Sequence, residues 1–172
     1  MTASRIELVK QTMREIPDFP KEGILFYDIT PILANSEAFS AVIDLFAERY
    51  RDNPPTQIAA IESRGFIFGA ALAKELGCGL TVIRKPGKLP AETISESYSL
   101  EYGTDRIEIH ADALSSADRC LVIDDLLATG GTAAAAVKLI ERLGAQVVEC
   151  AFMVELTALA GRQKLTAPVF SM

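Results

Sequence analysis

The sequence predicts an α/β protein built on an open, mainly parallel twisted sheet flanked by helices. Three observations lead there. From residue 57 onward, short apolar runs alternate with segments of helical period, the pattern of strand–helix–strand crossovers. The runs at 57–61, 119–123 and 146–155 are largely apolar, as strands covered on both faces must be. Gly77 and Gly144 stand where the intervening helices need a left-handed C-cap.

The 172 residues, 49% hydrophobic and 23% charged, suit one domain over 1–172 with a full apolar core. A net charge of −6 argues against a sequence-independent grip on nucleic acid, which needs a basic face. Cys78, Cys120 and Cys150 are odd in number and widely spaced, so neither a disulfide framework nor a metal knuckle fits, and a reduced, cytoplasmic setting is expected. Residues 1–14 lack the apolar stretch of a signal peptide, and no later run reaches the length of a membrane span.

Ser4 with Glu7 forms a capping box, and Ile6, Val9, Met13 and Ile16 recur at helical spacing, predicting a first helix that ends before Pro17. Residues 17–31 read as a loop holding Phe26, Tyr27 and Asp28. A second helix begins near Asn35 or Ser36, with Phe39, Val42, Ile43, Phe46 and Tyr50 along one stripe. Then come a strand at 57–61, a helix at 66–76, a strand at 80–84 broken by Pro86 and Gly87, and an alternating strand at 106–110. Between them, 88–102 is polar and without a clean period, the mark of a lid or a disordered loop. A strand at 119–123 leads to two aspartates, and Gly130 and Gly131 open a helix with Ala133, Val137 and Ile140 on one face and Lys138, Glu141 and Arg142 on the other. His110 reads as a surface residue at a strand end.

The stretch from Leu121 to Thr132 carries the chemistry. It is a strand, a turn and a helix start, and in an open parallel sheet the carboxyl ends of the strands border the ligand crevice. Glycines at a helix N-terminus let backbone N–H groups converge on an anion, and Thr129 and Thr132 add hydroxyls. A Walker loop would also need a lysine just before its Ser or Thr, and none is present. Asp124 and Asp125 repel a polyphosphate but accept hydrogen bonds from a vicinal diol, so the pattern spells a ribose 5-phosphate.

This stretch resembles the signature with which type I phosphoribosyltransferases bind phosphoribosyl pyrophosphate (PRPP). Residues 23–31, 62–69, 83–90, 97–103 and 154–156 resemble, in order, segments of the adenine-specific members of that family. The resemblance implies that fold, with residues 1–34 as a base-binding hood and about 88–102 as a flexible lid. It implies purine salvage: AMP and pyrophosphate from adenine and PRPP. Asp124, Asp125, Ala128, Thr129, Gly130, Gly131 and Thr132 would hold the ribose 5-phosphate, and Ser63, Arg64, Arg84, Lys85 and Lys88 the pyrophosphate.

Phe26, the backbone around Tyr27, and Leu126 would hold adenine, and Glu101 would move the proton that adenine sheds. Tyr27 stands where many family members carry arginine. Tyr98 would anchor the lid. Mg2+ is expected, bound mainly through PRPP or pyrophosphate rather than by a protein cage, with no direct protein ligand assigned. The family also implies a homodimer. Two alternatives stay open here: the same fold acting on xanthine, hypoxanthine or guanine, and a PRPP-sensing regulator. The second lacks an appended helix-turn-helix.

Overall fold

Five strands form the central sheet of this computed structural model, which describes residues 2–99 and 103–172. Their spatial order is β4 (Gly79–Ile83), β3 (Gln57–Ile61), β7 (Arg119–Leu127), β8 (Gln146–Glu155) and β9 (Val169–Ser171), and each neighbouring pair is parallel. The predicted α/β class and parallel sheet are therefore present. The chain divides into two compact units, residues 1–49 and 50–172.

In the larger unit, α4 (Gly65–Leu76) connects β3 to β4, and α5 (Gly131–Arg142) connects β7 to β8. Gly69 lets α4 lie on the sheet, since a Cβ there would come within 2.7 Å of the Ala60 Cβ. Gly77 closes α4 in the left-handed conformation at φ 69°. Ala133, Val137 and Ile140 of α5 are buried against the sheet, while Lys138, Glu141 and Arg142 are exposed, as their spacing predicted. The core runs through Ile61, Ile83, Val122, Leu139 and Phe152. Cys120 and Cys150 are buried in it, and the three cysteines are free thiols.

Two boundaries and one burial expectation differ from the sequence reading in this unit. The strand expected at 119–123 continues through both aspartates to Leu127, because β8 supplies pairing partners as far as Glu155. Part of the expected irregular segment at 88–102 is strand: β5 (Thr93–Ser99) pairs antiparallel with β6 (Thr104–His110), and residues 100–102 lie outside the described residues. Ile94 and Tyr98 alternate with polar neighbours, and a high Ser, Thr and Glu content masks that period. His110 is half-buried rather than a surface residue, lying beside Gln57 and Thr81 at the edge of the sheet. Its Nε2 has no hydrogen-bond partner among the described residues.

The smaller unit holds α1 (Thr2–Thr12), a two-stranded antiparallel ribbon of β1 (Arg14–Pro17) and β2 (Leu25–Asp28), α2 (Thr30–Ala34) and most of α3 (Ser36–Tyr50). The first helix begins before Ser4 and stops at Thr12, so Ser4 is not its cap and Ile16 is not on it. Ile16 instead pairs with Phe26 across the ribbon, which makes a strand of the expected 17–31 loop around Phe26, Tyr27 and Asp28. Helical spacing of Ile16 and the lone Pro17 concealed a strand of only four residues. α3 begins at Ser36, within the expected start near Asn35 or Ser36, and Asn35 caps it, its Oδ1 accepting from the N–H groups of Glu37 and Ala38 at 3.0 Å each.

Candidate active site

The loop between β7 and α5 is shaped by two glycine contacts. Gly130 takes φ 78°, and a Cβ on it would stand 2.2 Å from the Gly161 carbonyl oxygen. A Cβ on Gly161 would in turn stand 2.1 Å from the Ala128 carbonyl oxygen. Two short 3-10 turns, Thr157–Leu159 and Gly161–Lys164, press this second backbone against the loop.

The loop encloses a hollow of about 90 Å³, lined by Asp124, Leu126 and Leu127 of β7, Ala128 to Ala133, and Phe152. That is several times the ~10–15 Å³ that one water needs. The hollow opens at the N-terminus of a twelve-residue helix, where converging N–H groups and the helix dipole attract anions. Of the residues expected to hold the ribose 5-phosphate, Asp124, Ala128, Thr129, Gly130, Gly131 and Thr132 lie on its wall, and Asp125 does not.

The two aspartates diverge in environment. Asp125 is 3% exposed, and its Oδ2 accepts from Arg64 Nε at 2.5 Å. Asp124 is half-buried, lines the hollow, and accepts the Asp125 N–H at 2.9 Å. Burial first, and then the neighbouring Asp125 charge, push the Asp124 carboxyl well above the ordinary carboxylate range. Asp125 is thus not the exposed strand-end acid that its polarity suggests, since the longer β7 carries it inside.

A group of cations follows the ends of β3 and β4. Ser63 and Arg64 sit in the turn from β3 into α4, after a cis peptide bond between Glu62 and Ser63. Gly65 is required there, because a Cβ would lie 2.7 Å from the Ile123 carbonyl oxygen and 3.1 Å from Asp124 Oδ1. Arg84 donates to Glu62 through Nη2 at 3.1 Å and Nε at 3.3 Å, and through Nη1 to the Lys88 carbonyl oxygen at 3.2 Å. Glu62 also accepts the Lys85 N–H at 2.8 Å, the main cause holding its carboxyl below the usual range, with Arg84 adding to it. Lys85 Nζ is bound by Tyr98 and Asp105 of the β5–β6 hairpin.

Sequence reasoning named the five pyrophosphate candidates but missed the groups that hold them. Glu62 opens the 62–69 segment without an expected role, and Asp105 and Gly161 carry no readable signal, being paired only through the fold. Phe26 and Tyr27 are half-buried on β2 of the smaller unit, and Leu126 is half-buried on β7. Glu101 lies outside the described residues.

Among the described residues no group of three or more His, Cys, Asp or Glu is placed to hold a metal, and no helix is long and apolar enough to cross a membrane.

The phosphoribosyl transferase domain family matches residues 28–171. An adenine phosphoribosyltransferase 1 from Triticum aestivum is 56% identical over 96% of this chain and 92% of its own length. An adenine phosphoribosyltransferase from Shewanella sp. (strain ANA-3) is 54% identical over 97% and 91%. Among solved structures, the Saccharomyces cerevisiae adenine phosphoribosyltransferase, complexed with an imino-altritol bisphosphate and adenine, superposes with a TM-score of 0.94 at 43% identity, covering 98% of both chains. The Trypanosoma brucei enzyme, in complex with AMP, pyrophosphate and ribose 5-phosphate, gives 0.90 at 28% identity over 98% of this chain and 78% of its own. Because the family model covers residues 28–171 and relatives at 56% and 54% identity span 96% and 97% of this chain, the chain belongs to the phosphoribosyltransferase family, and within it to the adenine phosphoribosyltransferases.

Proposed function

We propose the following division of labour for forming AMP and pyrophosphate from adenine and PRPP. Residues 128–132 hold the 5-phosphate in the hollow, and Asp124 and Asp125 take the ribose hydroxyls. The observation that carries this reading is the hollow itself, a helix N-terminus bordered on one side by Asp124. Ser63, Arg64, Arg84, Lys85 and Lys88 hold the pyrophosphate. As the bond from ribose C1 to pyrophosphate breaks, negative charge grows on the leaving oxygen and positive charge on the sugar, so cations on one side and carboxylates on the other stabilise the transition state.

Phe26 and Leu126 each offer adenine an apolar face, and backbone groups near Phe26 and Tyr27 read its edge. That use of the backbone makes Tyr27 compatible with the site despite the arginine of many relatives. A ring nitrogen of adenine attacks C1, and Glu101 accepts the proton it sheds. Residues 1–34 form the base-binding hood of a single functional domain, and residues 88–102 act as a lid that keeps water from the cationic sugar.

The site fits Mg2+ carried by the substrate. Two adjacent carboxylates, with no third His, Cys, Asp or Glu placed beside them among the described residues, suit a hard cation that takes most of its oxygens from pyrophosphate and water, with Asp124 and Asp125 reached through ribose hydroxyls. When bound, the ion neutralises charge on the pyrophosphate. The chain works in the cytoplasm as a homodimer. Steady-state turnover of adenine, hypoxanthine, guanine and xanthine with PRPP and Mg2+ tests the reading. Adenine is expected to be the preferred base, and absence of turnover with adenine refutes it.

A further inference from the structure

Lys85 sits in the turn after β4, yet its ammonium is held from the β5–β6 hairpin. Nζ donates to the Tyr98 hydroxyl at 3.0 Å and to the Asp105 carboxylate, and lies 5.6 Å from the centre of the Tyr98 ring. Tyr98 and Asp105 are cross-strand partners, and the Tyr98 hydroxyl donates to Asp105 Oδ2 at 3.1 Å. Asp105 Oδ1 also accepts the Arg106 N–H at 2.7 Å, which fixes the carboxylate. An ammonium has three donors, and these contacts use two of them among the described residues.

We propose that Asp105 sets the affinity of the pyrophosphate end of the site, its carboxylate competing with pyrophosphate for the Lys85 ammonium while Tyr98 keeps that ammonium in place. The inference rests on the reading of Lys85 as a pyrophosphate ligand. Three features support it. Lysine is a compact point charge, so a carboxylate on it reduces what it offers to a second anion. The Lys85 and Asp105 side chains are 41% and 32% exposed, a setting in which an ion pair contributes little and is readily exchanged. Asp105 also adds its own repulsion against any polyphosphate that Lys85 holds. Asp105 is therefore a positioning residue that acts through Lys85, and touches no substrate itself.

The test measures KM for PRPP and for adenine, and the Kd of magnesium pyrophosphate by calorimetry, in the full chain. Asp105→Asn is expected to lower the PRPP KM and the pyrophosphate Kd about two- to fivefold, leaving the adenine KM unchanged. Asp105→Glu, which keeps the charge, is expected to retain the unsubstituted values. A merely structural role for Asp105 would move kcat and melting temperature without tightening either ligand, and that result overturns the proposal. Should Asp105→Asn fold poorly, Asp105→Ser carries the same expectation. Lys85→Met separates the two layers. If it leaves pyrophosphate affinity unchanged, the Lys85 assignment fails and this inference with it. If it weakens binding while Asp105→Asn does not tighten it, only the Asp105 inference fails.

Discussion

Gly161→Ala tests the geometry of the phosphate loop from a residue outside it. The added Cβ would sit 2.1 Å from the Ala128 carbonyl oxygen and 2.9 Å from Gly130 N, both backbone atoms that no rotamer can move aside. Real Cβ contacts essentially never fall under 3.0 Å, so the two backbones must part by about 0.9 Å at the least. Gly161 is not among the glycines with positive φ, so crowding alone is tested, without backbone strain at the substituted residue.

Overpacking of this kind costs about 1–3 kcal/mol of stability, which in a chain of this size lowers Tm by roughly 2–4 °C per kcal/mol. The larger effect is on the site. Displacing a binding group by about 1 Å costs on the order of 10²-fold in rate, or ~2.7 kcal/mol of transition-state stabilisation. The assay is kcat/KM for PRPP beside a thermal melt. Gly144→Ala is the control: it strains a φ of 88° but meets nothing closer than 3.7 Å, so it should lower Tm and spare kcat/KM. A Gly161→Ala enzyme with kcat/KM within about threefold of the unsubstituted chain would refute the claim that this contact shapes the loop.

Four more predictions follow from charge and burial. Asp124→Asn should raise Tm at neutral pH by a few degrees while lowering turnover steeply, because the Asp124 carboxyl is disfavoured as an anion by burial and by Asp125. With a carboxyl raised in the folded state, stability is fullest below the unfolded value and falls as pH rises through the folded one. The gain of the Asn variant should therefore shrink on acidification, as melts between about pH 5 and pH 8 would show. Asp125→Asn, which removes the buried partner of Arg64, should lower both Tm and turnover, and a neutral Tm would count against that ion pair. Glu62→Gln should raise the PRPP KM several-fold by loosening Arg84 and the Lys85 turn, and an unchanged KM would contradict their assigned role. Cys120 and Cys150 should resist thiol reagents until the chain is unfolded, since burial pushes both thiols up to about 12, and labelling kinetics with and without urea measure this.

Local chemistry was sufficient to single out much of the candidate site. The acids, threonines and glycines from Asp124 to Thr132 declare an anion loop by type and spacing, because such a loop is built from contiguous backbone and can be read contiguously. The alternation from Gln57 onward similarly declares a parallel sheet, since burial on both faces imposes a composition on each strand separately. Where two weak periods compete, reading fails: Ile16 fits a helix by spacing but belongs to a ribbon, and Ser and Glu hide a strand at Thr93–Ser99. Both strands exist because of a partner, not because of their own residues.

What only the tertiary structure decided are the pairings across the chain. Asp125 is buried and paired with Arg64, sixty-one residues away, Glu62 holds Arg84, Asp105 meets Lys85, and Gly161 backs the loop at Gly130. Sequence by itself determined which residues carry charge or allow a tight turn, because those are properties of single side chains. Which charges neutralise one another, and which backbones touch, depends on the sheet order β4-β3-β7-β8-β9 that brings distant strand ends together, and no local pattern encodes a distance.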